Sequence, residues 1–242
     1  MDHYALIGRD IQYSFSPPFF KNKFQKADID AEYTLLDLER IEQVKPILHS
    51  GKYRGLNVTI PYKNAIIPYL DGISEEAQKM GAVNCLALTQ KGYIGYNTDV
   101  YGFEESIKPL LSQSISQALI LGSGGASAAV QFVLDKLNIP FLVISRNENA
   151  EHTYERLSKA TVQNSQLIVN CTPLGSSAFL DSFPSIDYDA IGSNHILYDL
   201  IYTPAETVFL RKGREKGAKT KNGLEMLHLQ AEKSWEIWQN TK

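Results

Sequence analysis

Apolar residues along this chain follow two alternating periods. Tyr4 to Gly8 reads as a short strand ending on glycine, and Tyr33 to Leu38 as another. Leu56, Val58 and Ile60 alternate with Asn57 and Thr59, the pattern of a strand with one apolar face. Pro61 cannot continue a central ladder, so the strand should hand over there to a helix carrying Ile66, Ile67 and Leu70. Two helices fall between these strands. One starts at Pro17, with Ser16 as N-cap and Phe20, Phe24 and Ala27 inside; the other runs from Ile41 to Leu48, bent or shortened by Pro46. Val83 to Leu88 and Tyr93 to Tyr96 are strands flanking the turn residues Lys91-Gly92.

Near residue 100 the register restarts. Asp99 precedes a capped helix over Val100 to Glu105, and a polar stretch, Ser112 to Gln117, follows. Ala118 to Leu121 is an uninterrupted apolar run of the kind buried in parallel sheets. Further strands are predicted over Phe141–Ile144, Leu167–Val169 and Ile196–Leu200. A final helix, Leu224 to Gln239, carries Leu224, Leu227, Ala231, Trp235 and Trp238 at helical spacing. Strands alternating with helices predict an α/β protein of two domains. The expected division is residues 1–99, with a mostly parallel sheet and completed by the terminal helix 223–242, and a Rossmann-type domain over 100–222.

The 242 residues carry a formal net charge of −3 and are 43% hydrophobic, enough for two modest cores. That near-neutral balance gives no reason to expect a nucleic acid or an anionic membrane surface as partner. No apolar run approaches the roughly 18 residues a membrane span needs, and Met1-Asp2-His3-Tyr4 has no signal-peptide character. Cys85 and Cys171 sit in apolar strand contexts and read as buried thiols, so a cytoplasmic protein is expected. His3, His49, His152, His195 and His228 are scattered and share no metal-ligand spacing with the cysteines, so no metal site is expected. A homodimer is compatible with the pattern, which identifies no face for one.

The most informative turn is Gly122-Ser123-Gly124-Gly125-Ala126-Ser127-Ala128-Ala129, between the Ala118 strand and a helix over Ala128 to Leu137. In that context glycines permit a tight turn and close backbone approach to a pyrophosphate, while the helix N-terminus offers free N–H groups. The loop departs from the dinucleotide fingerprint, because Ser127 occupies its third small position, but with Ala129 it fits a related Gly-x-Gly-Gly-x-x-x-Ala pattern. The next strand ends Ser145-Arg146-Asn147, without the acid that binds the ribose hydroxyls in NAD-preferring proteins. Arg146 could bond a 2′-phosphate and stack on adenine, which favours NADP, although Glu148 lies close by.

Lys63 is expected at a helix N-terminus, where the dipole disfavours a cation, so packing alone does not explain it. Ser14-Phe15-Ser16-Pro17, Asn57-Val58-Thr59-Ile60-Pro61-Tyr62-Lys63, and Gly81-Ala82-Val83-Asn84 with Asn97-Thr98-Asp99-Val100-Tyr101-Gly102 together resemble segments of the shikimate dehydrogenase family. Asn170-Cys171-Thr172-Pro173-Leu174-Gly175, Tyr198-Asp199-Leu200-Ile201-Tyr202-Thr203-Pro204 and Gly223-Leu224-Glu225-Met226-Leu227 with Gln230-Ala231 continue the resemblance in family order.

The resemblance implies reversible, NADP-dependent reduction of 3-dehydroshikimate to shikimate in aromatic amino-acid biosynthesis. It implies that Lys63 and Asp99 sit at the reacting carbon, that Ser14 and Ser16 bind the substrate carboxylate, and that Thr59, Asn84 and Gln230 hold ring hydroxyls. Tyr202 would help close the site. The cofactor would contact Gly122, Gly124, Gly125 and Ala126, then Ser145, Arg146 and Asn147, then Thr172, Ile201 and Gly223. Ser145 and Asn147 depart from the residues many NADP-using relatives carry there. The residue types suit the chemistry: hydride addition to a ketone builds negative charge on oxygen, which a lysine ammonium can stabilise and protonate. A paralogue oxidising quinate with NAD is the nearest alternative, and a non-catalytic NADP-binding regulatory module a more distant one.

Overall fold

In the computed structural model of the chain, residues 1–111 and 114–241 are described; Ser112 and Gln113, in the expected polar stretch, and Lys242 lie outside the described residues. The first half contains β1 (Asp2–Gly8), α1 (Ser16–Lys26), β2 (Ala31–Asp37), α2 (Val44–His49), β3 (Tyr53–Val58), β4 (Gly72–Ile73), α3 (Glu75–Met80), β5 (Cys85–Thr89) and β6 (Gly92–Tyr96). The second contains α4 (Asp99–Ile107), β7 (Ala118–Leu121), α5 (Gly125–Lys136), β8 (Phe141–Ile144), α6 (Lys159–Asn164), β9 (Leu167–Asn170), β10 (Ile196–Asp199), α7 (Val208–Glu215), β11 (Lys219–Lys221) and α8 (Leu224–Asn240). Two compact units result, Met1–Tyr101 with Gln230–Lys242 and Gly102–Leu229, and the division falls within α8.

The first unit is built on a six-stranded sheet of order β2-β1-β3-β5-β6-β4. β1 pairs in parallel with β2 and β3; β5 runs antiparallel to both β3 and β6, and β4 is parallel to β6. β5 is therefore the one reversed strand, so the ends of β1, β3 and β6 and the start of β5 all meet at the same sheet edge. Both faces of the sheet are buried. Ile7, Leu56, Val58 and Leu86 face one cluster, while Tyr4, Phe20 and Trp238 form the other. Trp238 stacks on Tyr4 with ring centroids 4.9 Å apart and donates its indole N–H to the Leu86 carbonyl at 2.9 Å. This fastens the end of α8, and with it Gln230 and Ser234, to the sheet.

The second unit is a five-stranded parallel sheet of order β11-β10-β9-β7-β8. Chain order reverses at β7, which has β8 on one side and β9 on the other. That is the topological switch point at which open α/β sheets bind ligands, beyond the carboxyl ends of their strands. All four residues of β7, β9 and β10 are buried, as the continuous apolar runs require.

Several local expectations are corrected. No α-helix follows Pro61: residues 61–66 form turns and a single 3₁₀ turn covers Ile67–Tyr69. Pro68 lies within that turn and has no N–H to return to residue 64, which limits helix propagation. Lys63 is therefore not at a helix N-terminus. Ser16 is not an N-cap; Phe15 precedes the helix, and Ser16 is its first residue. Asp99 likewise opens α4 from within, and the side chain of Asn97 accepts its N–H at 3.0 Å. Asn57 does not face solvent but is buried, because β3 is covered on both faces. Leu224, expected on the inner stripe of the last helix, is exposed. α7 escaped the pattern because Arg211, Lys212, Gly213 and Arg214 dilute its apolar residues.

Candidate active site

In the first unit the polar residues of interest gather at the common strand edge. The loop after β1 carries Ser14 and leads to Ser16 at the start of α1, and the Ser14 hydroxyl accepts the Ser16 N–H at 3.3 Å. The turn after β3 carries Thr59 and Lys63. Glycine is required at position 8 to bring these two segments together, since a Cβ there would lie 2.5 Å from Ile11 and 2.6 Å from Thr59. Val83 N–H donates to the Lys63 carbonyl at 2.8 Å, which sets the lysine backbone against the segment leading into β5. The Lys63 ammonium then donates to Asp99 Oδ2 at 2.5 Å, with 20% and 16% of the two side chains exposed. Both groups are thus held by protein on most sides yet open to a ligand.

Asn84 is buried at the entrance to β5. Its Oδ1 accepts from the Thr98 N–H at 2.7 Å and the Thr98 hydroxyl at 3.2 Å. Among the described residues its amide N–H groups have no hydrogen-bond partner, which leaves them free to donate to a ligand hydroxyl. The Thr59 hydroxyl also makes no hydrogen bond among the described residues, while its backbone N–H is fixed to the Ile7 carbonyl at 2.8 Å. Gln230 is half-buried on α8, with Oε1 3.5 Å from the Thr98 hydroxyl. The first unit thus brings together Ser14, Ser16, Thr59, Lys63, Asn84, Asp99 and Gln230.

Beneath them runs a polar network that pattern reading missed. Tyr33 donates its phenol to Asn57 Oδ1 at 2.8 Å, and Asn57 Nδ2 donates to Ser234 Oγ at 2.9 Å. Ser234 in turn lies 3.2 Å from the Thr98 hydroxyl. Burial raises the Tyr33 phenol well above its ordinary pKa, partly offset by a hydrogen bond with Ser16. The available signal was a lone amide inside the apolar run Leu56-Asn57-Val58, because a buried amide needs partners.

In the second unit, Gly122 leaves β7 with φ of +106°, a conformation that favours glycine, and a Cβ there would press on Thr172 Cγ2 at 3.0 Å. Gly124 and Gly125 differ: a Cβ at either would meet nothing within 4 Å. No internal packing requires these two glycines, and the open space beside the backbone at the start of α5 suits the approach of a phosphate. Ala126 is exposed in the first turn of that helix. A cavity of about 430 Å³ is lined by Gly122, Gly124, Ser145, Arg146, Asn147 and Thr172, among others. The Ser145 hydroxyl is turned inward, 3.1 Å from Ser123 Oγ, and accepts the Asn147 N–H at 3.1 Å, so it links the glycine loop to the tip after β8. Arg146 is exposed and forms no salt bridge among the described residues, which suits a guanidinium meant for an external phosphate. These features fit a phosphorylated dinucleotide.

Thr172 follows β9, Ile201 and the exposed Tyr202 follow β10, and Gly223 lies buried just before α8. No group of three or more histidine, cysteine or acidic residues is placed to hold a metal among the described residues, and no helix is long and apolar enough to cross a membrane.

Residues 6–86 match the shikimate dehydrogenase substrate binding domain. The chain is 36% identical to a shikimate dehydrogenase (NADP(+)) of Methanosphaera stadtmanae, over 97% of its own length and 90% of that protein. The crystal structure of shikimate dehydrogenase from Aquifex aeolicus superimposes with a TM-score of 0.89 at 32% identity, covering 99% of this chain and 93% of that one. The Thermus thermophilus shikimate 5-dehydrogenase, solved in complex with NADP(H) and shikimate, gives 0.88 at 28% identity over 99% and 94%. The α/β architecture thus has full-length counterparts, and the chain belongs to the shikimate dehydrogenase family.

Proposed function

We propose that this chain reversibly reduces 3-dehydroshikimate to shikimate with NADPH, as an NADP-dependent shikimate dehydrogenase of aromatic amino-acid biosynthesis. The observation that carries the catalytic assignment is the Lys63–Asp99 contact of 2.5 Å beside the unpartnered Asn84 amide and Thr59 hydroxyl. A ketone on a hydroxylated ring acid needs a proton donor at the carbonyl and amide or hydroxyl partners around the ring, and these residues supply both kinds of group.

The nicotinamide, when bound, supplies the hydride. In the reductive direction Lys63 stabilises the negative charge developing on the carbonyl oxygen and transfers a proton from Nζ to it, so the ketone becomes an alcohol; the amine regains its proton from solvent. Asp99 orients the ammonium through Oδ2, which leaves Oδ1 to accept a substrate hydroxyl. Ser14 and Ser16 hold the ring carboxylate, and Thr59, Asn84 and Gln230 hold ring hydroxyls. For the cofactor, Gly122, Gly124, Gly125 and Ala126 offer backbone to the pyrophosphate. Arg146 and Asn147 take the 2′-phosphate, Ser145 shapes that loop, and Thr172, Ile201 and Gly223 serve the nicotinamide end. In this scheme the first unit is the substrate domain and the second the NADP domain. Cytoplasmic location and a homodimer belong to the same proposal, to be checked by cell fractionation and sedimentation velocity.

The deciding experiment follows absorbance of the reduced nicotinamide with shikimate or quinate, each with NADP or NAD. Turnover fastest with shikimate and NADP is the expected result. Turnover confined to quinate, or to NAD, would overturn the substrate or cofactor assignment respectively.

A further inference from the structure

β9 and β10 are neighbours in the parallel sheet, and their last residues, Asn170 and Asp199, stand side by side. Asp199 is fully buried. Its Oδ1 accepts the Ile201 N–H at 3.0 Å and Asn170 Nδ2 at 3.0 Å, and its Oδ2 accepts the Thr207 hydroxyl at 2.6 Å. Asn170 passes the constraint onward: its Oδ1 accepts both the N–H and the hydroxyl of Thr172, at 3.0 and 2.7 Å. Ile201 does the same on the other side, since its carbonyl accepts the Gly223 N–H at 3.0 Å. Position 223 leaves no slack, because a Cβ there would lie 2.2 Å from the Leu200 carbonyl oxygen.

Thr172, Ile201 and Gly223 come from three separate connections, yet all three hang from one carboxylate–amide pair. The residue type matters. Three donors converge on this side chain, and the Thr207 hydroxyl also accepts the Leu210 N–H at 3.3 Å. An acceptor-only group satisfies all three, whereas an amide must turn a donor toward one of them. Burial pushes the Asp199 carboxyl up to about 6 despite these bonds, so an ionisable group is kept where ionisation is costly, and the hydride chemistry above makes no use of it.

We propose that Asp199 is a positioning residue which, through Asn170, sets Thr172, Ile201 and Gly223 as one platform for the nicotinamide end of NADP. This deepens the cofactor assignment made above and rests on it.

The test compares wild type with Asp199→Ala, Asp199→Asn and Asn170→Ala in NADPH binding, read by nucleotide fluorescence without substrate, and in the separate KM values for NADP and shikimate. Asp199→Ala and Asn170→Ala should weaken NADPH binding by roughly tenfold, as expected for loss of buried hydrogen bonds around a ligand. Asp199→Asn should fall between them and wild type, since its amide oxygen can still accept from Ile201 and Asn170. The KM for shikimate should change less than about twofold. NADPH affinity equal to wild type in Asp199→Asn and Asn170→Ala would overturn the proposal, even if Asp199→Ala failed to fold. An equal rise in both KM values alongside a lower melting temperature would also overturn it, by pointing to a merely structural role. Wild type that binds no NADPH would remove the cofactor assignment and the platform with it; wild type that binds while the variants match it would remove the platform alone.

Discussion

Asn57 of β3 donates its amide to the hydroxyl of Ser234 on α8 at 2.9 Å, a bond between residues 177 positions apart in the chain. Through Thr98, whose hydroxyl lies 3.2 Å from Ser234 and 3.2 Å from Asn84 Oδ1, this bond is continuous with the amide assigned to the substrate ring. Replacing Ser234 by Ala leaves Asn57 Nδ2 with only the weaker 3.3 Å bond to the Asn84 carbonyl and removes one of the partners of the Thr98 hydroxyl. The expected result is a rise of several-fold in the KM for shikimate with the KM for NADP unchanged, and recovery in Ser234→Thr. Steady-state kinetics of the two variants check this.

Gly55 sits under the indole of Trp238. A Cβ there would lie 2.3 Å from the ring, which is packed against Tyr4 and Phe20 and cannot swing away. Gly55→Ala should destabilise the protein by about 1–3 kcal/mol, the usual cost of overpacking a filled core. Urea unfolding followed by tryptophan fluorescence measures it; a midpoint equal to wild type would contradict the packing.

Asp199 has a consequence for stability as well. Its carboxyl lies near 3.8 in the unfolded chain and is pushed up to about 6 in the fold by burial, against the opposing bonds from Thr207, Ile201 and Asn170. Between these values the folded protein holds more protons than the unfolded chain, so this group's contribution to stability falls as pH rises. Glu104, pushed up by burial but held below its ordinary value by Lys136 and Lys108 together, works in the opposite direction, so the total pH profile does not isolate Asp199. Comparison with Asp199→Asn does. From pH 4 to pH 7 the difference in unfolding free energy should move by about 2 kcal/mol in favour of the variant. A constant difference across that range would contradict the assignment.

Arg146 is exposed and without an ion pair among the described residues, beside a cavity shared with the glycine loop. Arg146→Ala should lower the ratio of kcat/KM for NADP over NAD by roughly ten- to a hundredfold, mostly through the KM for NADP. An unchanged ratio would remove Arg146 as the 2′-phosphate partner.

How far these features were legible in the sequence depends on the physics behind each. The glycine loop could be read because strand, turn and helix signals adjoin one another within Ala118 to Leu137. Lys63 stood out by its place after Pro61, but its pairing with Asp99 could be named only by resemblance, since no spacing rule pairs residues on separate connections after β3 and β6. The helix expected after Pro61 failed because Pro68 limits the backbone bonds that would propagate it. The burial of Asn57 is hidden in the pattern because alternation suggests a half-exposed strand, while apolar clusters cover both faces of this sheet. Asp99 has the residue type of an N-cap, yet Asn97 takes that task and leaves the Asp99 carboxylate to Lys63. Local pattern could not rank those two side chains, because the deciding partner is remote.

The central claim is that the Lys63 ammonium supplies the proton, and Lys63→Met tests it most directly by removing the charge at nearly constant length. Pre-steady-state mixing of the variant with NADPH and 3-dehydroshikimate, alongside separate NADPH titration, resolves chemistry from binding. A fall in the rate of hydride transfer by at least about a hundredfold, with NADPH affinity within about twofold of wild type, is the predicted result. Transfer at the wild-type rate would contradict the assignment of Lys63.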